Sequence, residues 1–312
     1  MSIYENVEEL NGKAVLDWDS EKGLPDPQNN FPRIGISYDD YDKKTTWIDR
    51  FSAFLDHPDA AQVTGVVIGA WDYEFGGGQS EAIVEAIASA RDRLPRVEAI
   101  FYGDITSEEC EISWIQQSDV TPILVAYPAL KYFAVRGGTG LHLGHVQHNN
   151  LQTLIIQTGG LDAQVVRSVL KAELPALEHL ELWLGDEGYG ATTTIDDLQP
   201  LFSGELFPNL KTLGLRNSQI VDDIAKAIVN APILSRIQTL DLSMGTLTDE
   251  GAAALLESPA VKQLQKLDLH HHFCSQETTE KLQQLPIEVD VSEALTPDDY
   301  DGEIYRYVAV SE

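Results

Sequence analysis

The fold class this sequence predicts is α/β: a horseshoe-shaped solenoid of stacked units, with parallel strands on its concave face and helices on its convex face. Two observations predict it. The first is a phrase of the form L-x-x-L-x-L that keeps returning: "LQTLIIQTGGL" (151–161), "LEHLELWLGDE" (177–187), "LKTLGLRNSQI" (210–220), "IQTLDLSMGTL" (237–247) and "LQKLDLHHHFC" (264–274). Looser copies stand at "VTGVVI" (63–68), "VEAIFY" (97–102) and "LKYFAV" (130–135), and "PIEVDV" (286–291) offers a last strand. From 63 onward successive starts lie 34, 33, 21, 26, 33, 27, 27 and 22 residues apart. The second observation is the text between the copies. "QSEAIVEAIASARDRL", "LDAQVVRSVLKAEL", "VDDIAKAIVNA" and "TDEGAAALLES" carry apolar residues at three- and four-residue spacing, as helices buried on one face require.

This is the leucine-rich-repeat signature, in about eight to nine repeats. A single strand–turn–helix unit cannot bury its own apolar face, and stacking makes one continuous core. The repeats occupy 60–292. Ahead of them, 1–59 holds "KAVLDWD", "RIGISYD" and the amphipathic "TTWIDRFSAFLD", an N-terminal cap of strand and helix. Behind them, 293–312 runs from acidic "TPDDYDGE" into strand-like "IYRYVAV", an acidic tail with a capping strand. Segment 104–127 is longer than its neighbours and carries Trp114 and the turn-to-helix signal "DVTP". Trp114 is expected to pack beneath that loop, with a binding role as the alternative.

Within the repeats, acids gather where helices begin: Asp222 and Asp223, then Asp249 and Glu250 behind Thr248. Helix N-termini favour negative charge and Thr248 suits an N-cap, so these acids are structural rather than catalytic. Pro232 and Pro259 stop helices before the next strand.

The chain has 50 acidic against 21 basic residues, a formal net charge of −29. Nucleic-acid binding depends on Lys and Arg neutralising phosphates, so nucleic acid is excluded as a partner, and an anionic membrane surface with it. A basic partner would be steered towards such a chain. No apolar run approaches the ~18 residues of a membrane span, "MSIYENVEEL" lacks a secretory pattern, and two cysteines are too few for a disulfide framework. The expectation is a cytoplasmic protein.

The histidines tempt a metal reading. In "LDLHHHFCS" strand alternation sends His270 to the solvent, leaves His271 in the turn, and puts His272 in an inward slot where an imidazole can bond neighbouring backbone. Cys274 takes the inward apolar position. His142, His145 and His148 in "GLHLGHVQHNN" lie in a loop, by Gly140 and Gly144, rather than on one helix face. Five strand steps of ~4.8 Å separate the two groups, while zinc holds nitrogen at ~2 Å, so they cannot share an ion. No metal, cofactor or catalytic residue is assigned. "DWDSEKG" lacks the glycine and glutamate of a calcium loop, and neither "YEFGGGQS" nor "VRGGTG" has the ending of a phosphate-binding loop.

What remains is a surface. Read outward across the strands, the repeats present Tyr132, Arg136, Glu181, Trp183, Arg216, Asp241, Asp268 and His270. Tryptophan and arginine dominate binding hot spots, and here they stand among acids on a rigid platform. These eight residues are the predicted binding face, with Trp183 and both arginines exposed as its anchors.

The chain also resembles a bacterial family of cytoplasmic leucine-rich-repeat proteins with no established activity. The resemblance is carried by "CEISWIQQSDVTP" (110–122), "VRGGTGL" (135–141), "QTGGL" (157–161), "LWLG" (182–185), "LGLRNS" (213–218), "LDLHHHF" (267–273) and "YVAVSE" (307–312). It covers nearly the whole length and supplies no catalytic residues. It implies an accessory role beside radical S-adenosylmethionine enzymes in a biosynthetic complex. The units also resemble ribonuclease-inhibitor repeats, but without their abundant cysteine. The expected function is therefore a non-catalytic scaffold for a protein or peptide, basic in character. Alternatives are a metal-dependent enzyme or accessory using His and Asp of the last repeats, and recognition of a small ligand or modified peptide around Arg136.

Overall fold

Each copy of the repeated phrase becomes a strand, and neighbouring copies within one unit pair in parallel. The computed structural model describes residues 3–23, 25–72 and 80–312. They form two units, Met1–Gln157 with Lys171–Pro175 and Glu312, and Thr158–Leu170 with Ala176–Ser311. The stretch "YEFGGGQS" falls, except for Ser80, outside the described residues.

The first unit begins with a hairpin. β1 (Glu9–Leu10) and β2 (Lys13–Asp17) pair antiparallel. Asn11 and Gly12 between them both have positive φ, 50° and 75°, the backbone that an Asn-Gly hairpin turn demands. From β2 onward the ladder is parallel, through β3 (Asn30–Ile34), β4 (Gly65–Ile68), β5 (Ala99–Tyr102), β6 (Tyr132–Arg136) and β7 (Thr153–Gln157). Helices return the chain: α1 (Tyr38–Asp42), α2 (Trp47–Asp56), α3 (Ser80–Ser89) and α4 (Thr121–Ala126). Ser37 with Asp40, and Thr46 with Asp49, close reciprocal capping boxes that fix where α1 and α2 begin.

β4, β5 and β6 are buried on both faces. Besides the inward core, Val7, Leu10 and Val15 join Phe31, Val67, Ala99, Phe101, Tyr132, Ala134 and Ile155 in one apolar cluster. The side of these strands expected to meet solvent is therefore covered. Ile3 is also buried, and Val7 N–H donates to the Asp104 carboxylate at 3.2 Å, tying the N-terminal segment down.

The second unit takes in α5 (Ala163–Lys171) as far as Leu170 and carries its own parallel ladder: β8 (His179–Gly185), β9 (Thr212–Ser218), β10 (Thr239–Asp241), β11 (Lys266–Asp268) and β12 (Glu288–Asp290). α6 (Ile195–Phe202), α7 (Val221–Ile228), α8 (Asp249–Glu257) and α9 (Gln276–Leu282) lie between the strands. The repeated leucines (Leu213, Leu215, Leu240, Leu242, Leu267 and Leu269) are fully buried, which is why the phrase recurs. Acids at helix starts stitch one repeat to the next. Asp222 accepts from Thr248 N–H (2.9 Å), the Thr248 hydroxyl and Gly251 N–H (3.2 Å), and Asp249 accepts from Ser275 N–H (2.8 Å).

The chain ends in a two-stranded antiparallel hairpin, β13 (Asp298–Tyr300) and β14 (Glu303–Tyr305), followed by an irregular tail. That tail is tied to the second unit: Ala309 N–H donates to Met244 O, and the Asn217 side chain both accepts from Val310 N–H and donates to its carbonyl. Trp114 is 57% exposed, so it does not pack beneath its loop. Among the described residues no helix is long and apolar enough to cross a membrane.

Candidate binding face

Six of the eight residues expected on the binding face are buried, Tyr132, Arg136, Glu181, Trp183, Arg216 and Asp268, so neither arginine nor Trp183 is the exposed anchor expected. Tyr132 sits in the apolar cluster of the first unit. Arg136 is 0% exposed. Its Nε donates to Gln157 Oε1 (2.9 Å), its Nη1 to Ile105 O (2.8 Å), and its guanidinium lies 5.3 Å from the Phe101 ring centroid. Asp104, equally buried, is 3.8 Å away. Burial lowers the Arg136 pKa and raises that of Asp104, and their mutual attraction works against both shifts.

Trp183 is also 0% exposed, correcting the expectation that it is an open anchor. Its Nε1–H donates to Glu181 Oε1 at 2.7 Å, and the Arg216 guanidinium lies 5.5 Å from its ring centroid, in cation–π range. Arg216 in turn reaches Glu181 (3.1 Å), the Ser243 hydroxyl (3.0 Å) and Asp241 (3.3 Å). Gly214 makes room for this: a Cβ there would stand 3.1 Å from Glu181 Cγ. Burial alone would raise the Glu181 pKa, but the bonds from His179, Arg216 and Trp183 outweigh it and hold it down at about 2. The network is thus a structural unit of the strand face with its anchors turned towards one another.

Beyond Arg216 the face opens. Asp241, Asp268 and Asp290 stand in register on three adjacent strands, Asp241 opposite Asp268 and Asp268 opposite Asp290. Each carboxylate is fixed by the residue two places on. Asp241 accepts from Ser243 N–H (3.0 Å) and hydroxyl (2.5 Å), and Asp290 from Ser292 N–H (2.9 Å) and hydroxyl (2.7 Å). Asp268 pairs with His270 Nδ1 at 2.7 Å. Burial raises the Asp241 pKa and the neighbouring Asp268 charge adds to it, although Arg216 and Ser243 oppose. For Asp268 the bonds from His270 overcome burial and lower the pKa. Asp268 holds His270 above its ordinary value, against burial. One ligand atom from each of Asp268, His270 and Asp290 lies within 4.8 Å of the others.

Asp290 was absent from the expected face, although the signal was there: in "PIEVDV" it occupies the place that Asp268 holds in "LQKLDL". The other histidines do not converge. His272 is fully buried, its Nε2 on Val291 O (3.1 Å) and its Nδ1 accepting from Cys274 N–H (3.1 Å), and Cys274 is buried beside it. His148 plays the same part in the first unit, its Nε2 on Tyr127 O (3.0 Å) and its Nδ1 accepting from Leu151 N–H (3.0 Å). His142 and His145 are exposed.

No family model and no curated protein matches the chain. Among solved structures, a protein from Bacteroides fragilis superposes with a TM-score of 0.81 at 33% identity, covering 89% of this chain and 76% of that one. An internalin from Listeria monocytogenes aligns over 86% of this chain and 74% of its own at 13% identity and a TM-score of 0.37, too loose a superposition to define a fold.

Proposed function

The chain belongs to the family of the Bacteroides fragilis protein, and we propose that it is a non-catalytic binding protein built of leucine-rich repeats. Its second unit would hold a basic segment of a protein or peptide partner. The observation that carries this reading is the in-register row Asp241–Asp268–Asp290 with His270 beside it. Three carboxylates fixed by their own strands, Asp241 and Asp290 half-buried and Asp268 buried between them, present a preorganised negative stripe, on which a lysine or arginine side chain loses little to reorganisation. An accessory place in a biosynthetic complex is consistent with such a surface.

Purification from the native host, wild type beside Asp268→Asn/Asp290→Asn, tests it. The expected result is a basic partner retained by wild type, released by raised salt, and lost from the variant while its melting curve stays cooperative. Equal retention by both proteins would remove the stripe from consideration.

A second reading rests on the closeness of Asp268, His270 and Asp290. Asp268 on Nδ1 orients the ring as a carboxylate orients a metal-bound histidine, leaving Nε2 for a divalent cation. Metal analysis of the same samples separates the two: stoichiometric metal in wild type, absent from the variant, favours the cation. Arg136 itself is closed to a small ligand or modified peptide, because its side chain is enclosed.

A further inference from the structure

The C-terminal hairpin of the second unit has no core of its own: all six residues of β13 and β14 are exposed. The chain's other hairpin, β1–β2, buries Leu10 and Val15. Yet β13–β14 carries large apolar groups in the open. Tyr300 is 60% exposed, Ile304 50% and Tyr305 39%, and Tyr307 just beyond them 54%. A single exposed ring is ordinary, whereas several on one short element mark a contact surface.

Strand pairing sorts these side chains. Asp298 stands opposite Tyr305 and Tyr300 opposite Glu303, with Asp299 opposite Ile304 between them. Paired residues share a face and successive ones alternate, so Asp298, Tyr300, Glu303 and Tyr305 lie together on one side. The two rings meet there edge to face, centroids 5.8 Å apart and planes at 65°. The Tyr305 hydroxyl donates to Glu303 Oε2 (2.5 Å), which holds ring and carboxylate side by side. Two π surfaces among two carboxylates match an arginine side chain, whose guanidinium stacks on a ring while its N–H groups donate to carboxylate oxygens.

The hairpin also stands at the margin of the aspartate stripe. Both its ends are fixed on His271 and His272, directly after His270. Leu295 N–H donates to His272 O (2.8 Å), and His271 Nε2 lies 3.2 Å from Tyr307 O. Asp298, Asp299, Asp301 and Glu303 add four carboxylates, none in an ion pair among the described residues. Arg306, the nearest base in sequence, is exposed beyond β14. A second copy of the chain would bring the same acids against these, so charge complementarity selects a basic segment.

We propose that the hairpin face of Asp298, Tyr300, Glu303 and Tyr305 is a docking surface for an arginine of the partner's basic segment, which runs on from the aspartate stripe. This rests on the reading of that partner as basic, and it names arginine rather than lysine as the residue the hairpin takes.

The probe is a fluorescein-labelled peptide of three Gly-Arg-Ser repeats, titrated by fluorescence anisotropy at about 0.15 M salt beside its Lys and Glu counterparts. Wild type should bind the arginine peptide saturably, the lysine peptide less tightly and the glutamate peptide not at all. Tyr300→Ala/Tyr305→Ala removes no charge and should weaken the arginine peptide about tenfold, the sum of two exposed cation–π contacts. Tyr300→Phe/Tyr305→Phe keeps both rings and should bind nearly as wild type. Ile304→Ala, on the opposite face of the same hairpin, should leave the affinity in place. Asp268→Asn/Asp290→Asn addresses the stripe separately: unchanged binding by that variant, with loss in the tyrosine-to-alanine variant, would sink the stripe and keep the hairpin. The proposal is overturned if wild type does not bind the arginine peptide, or if the lysine peptide binds as tightly. It is equally overturned if the tyrosine-to-alanine variant binds unchanged, or if Ile304→Ala weakens binding as much.

Discussion

Glu181 shows at the scale of a residue how a side chain can look like a docking anchor and serve as a keystone. It accepts from Trp183 and Arg216 within the strand face. Glu181→Ala leaves the buried indole N–H without its acceptor and takes from Arg216 one of its two carboxylates, the other being Asp241, a loss of about 1–3 kcal/mol. The urea midpoint of the variant should fall accordingly, and an unchanged midpoint would mean that the network is idle. His270 carries a pH signature. Its pKa is raised by Asp268, so its contribution to stability is complete below about pH 6.5 and is lost as pH rises through the raised value. Asp268, with its lowered pKa, contributes above about pH 4, and that contribution goes as pH falls through the lowered value. His271 acts oppositely: burial lowers its pKa, so acidification below about pH 6.5 costs stability there. Because the two histidines oppose one another in a melting curve, the ring titrations are the cleaner observable. His270 should titrate above the usual histidine range, and Asp268→Asn should bring it back down.

At the scale of elements, the repeated phrase made strands and helices legible because its leucines answer one physical demand, burial between stacked units. β4 to β12 all arise from the copies, and the helix starts at Thr46 and Thr248 follow from capping chemistry. Asp222 and Asp249 lie in the first turns of their helices, but their hydrogen bonds go to the following repeat, to Thr248 and Gly251 and to Ser275. Asp222→Ala removes three acceptor contacts at once and should lower stability by ~2 kcal/mol, the scale of hydrogen bonds to a charged group, readable from a thermal or urea curve. Gly185 is a sharper case. Its φ is +76°, and a Cβ there would run into the Gly159 carbonyl and Gly160 N. Gly185→Ala should therefore yield little folded second unit, whereas substitution of Gly302, at φ +88° with nothing near its Cβ, should cost only backbone strain of ~1–2 kcal/mol.

For the whole molecule, alternation identified which strand residues face away from the leucine core but not what lies upon them. Phe101, Ala134 and Ile155 form an apolar column on a face expected to be wet, and that was the overlooked sign that something must cover it. The cover includes Val7 and Leu10, from a segment distant in sequence and without periodicity of its own. Trp183 and Arg216 misled for a related reason: hot-spot composition cannot distinguish a residue offered to a partner from one already held by its neighbours. The row of aspartates was readable, since it depends only on register. Deleting residues 3–10 should expose the column Phe31, Val67 and Phe101. Increased binding of a hydrophobic dye and loss of the monodisperse species would show it, and an unchanged dye signal would mean that the segment is dispensable. With a net charge of −29, the folded chain should also melt higher as salt rises towards physiological strength, because screening relieves self-repulsion.

The tether from Val7 to Asp104 has a consequence in time. The two residues are 97 positions apart, and the earlier must wait for the later. At ribosomal rates of roughly 5–20 residues per second, that interval is on the order of ten seconds. Until it ends Val7 and Leu10 lack the β5 residues they pack against, so the nascent chain carries an uncovered apolar segment until β5 and Asp104 arrive. A bound chaperone, or slow codons placed before Asp104, would therefore act on this protein through residues 3–10.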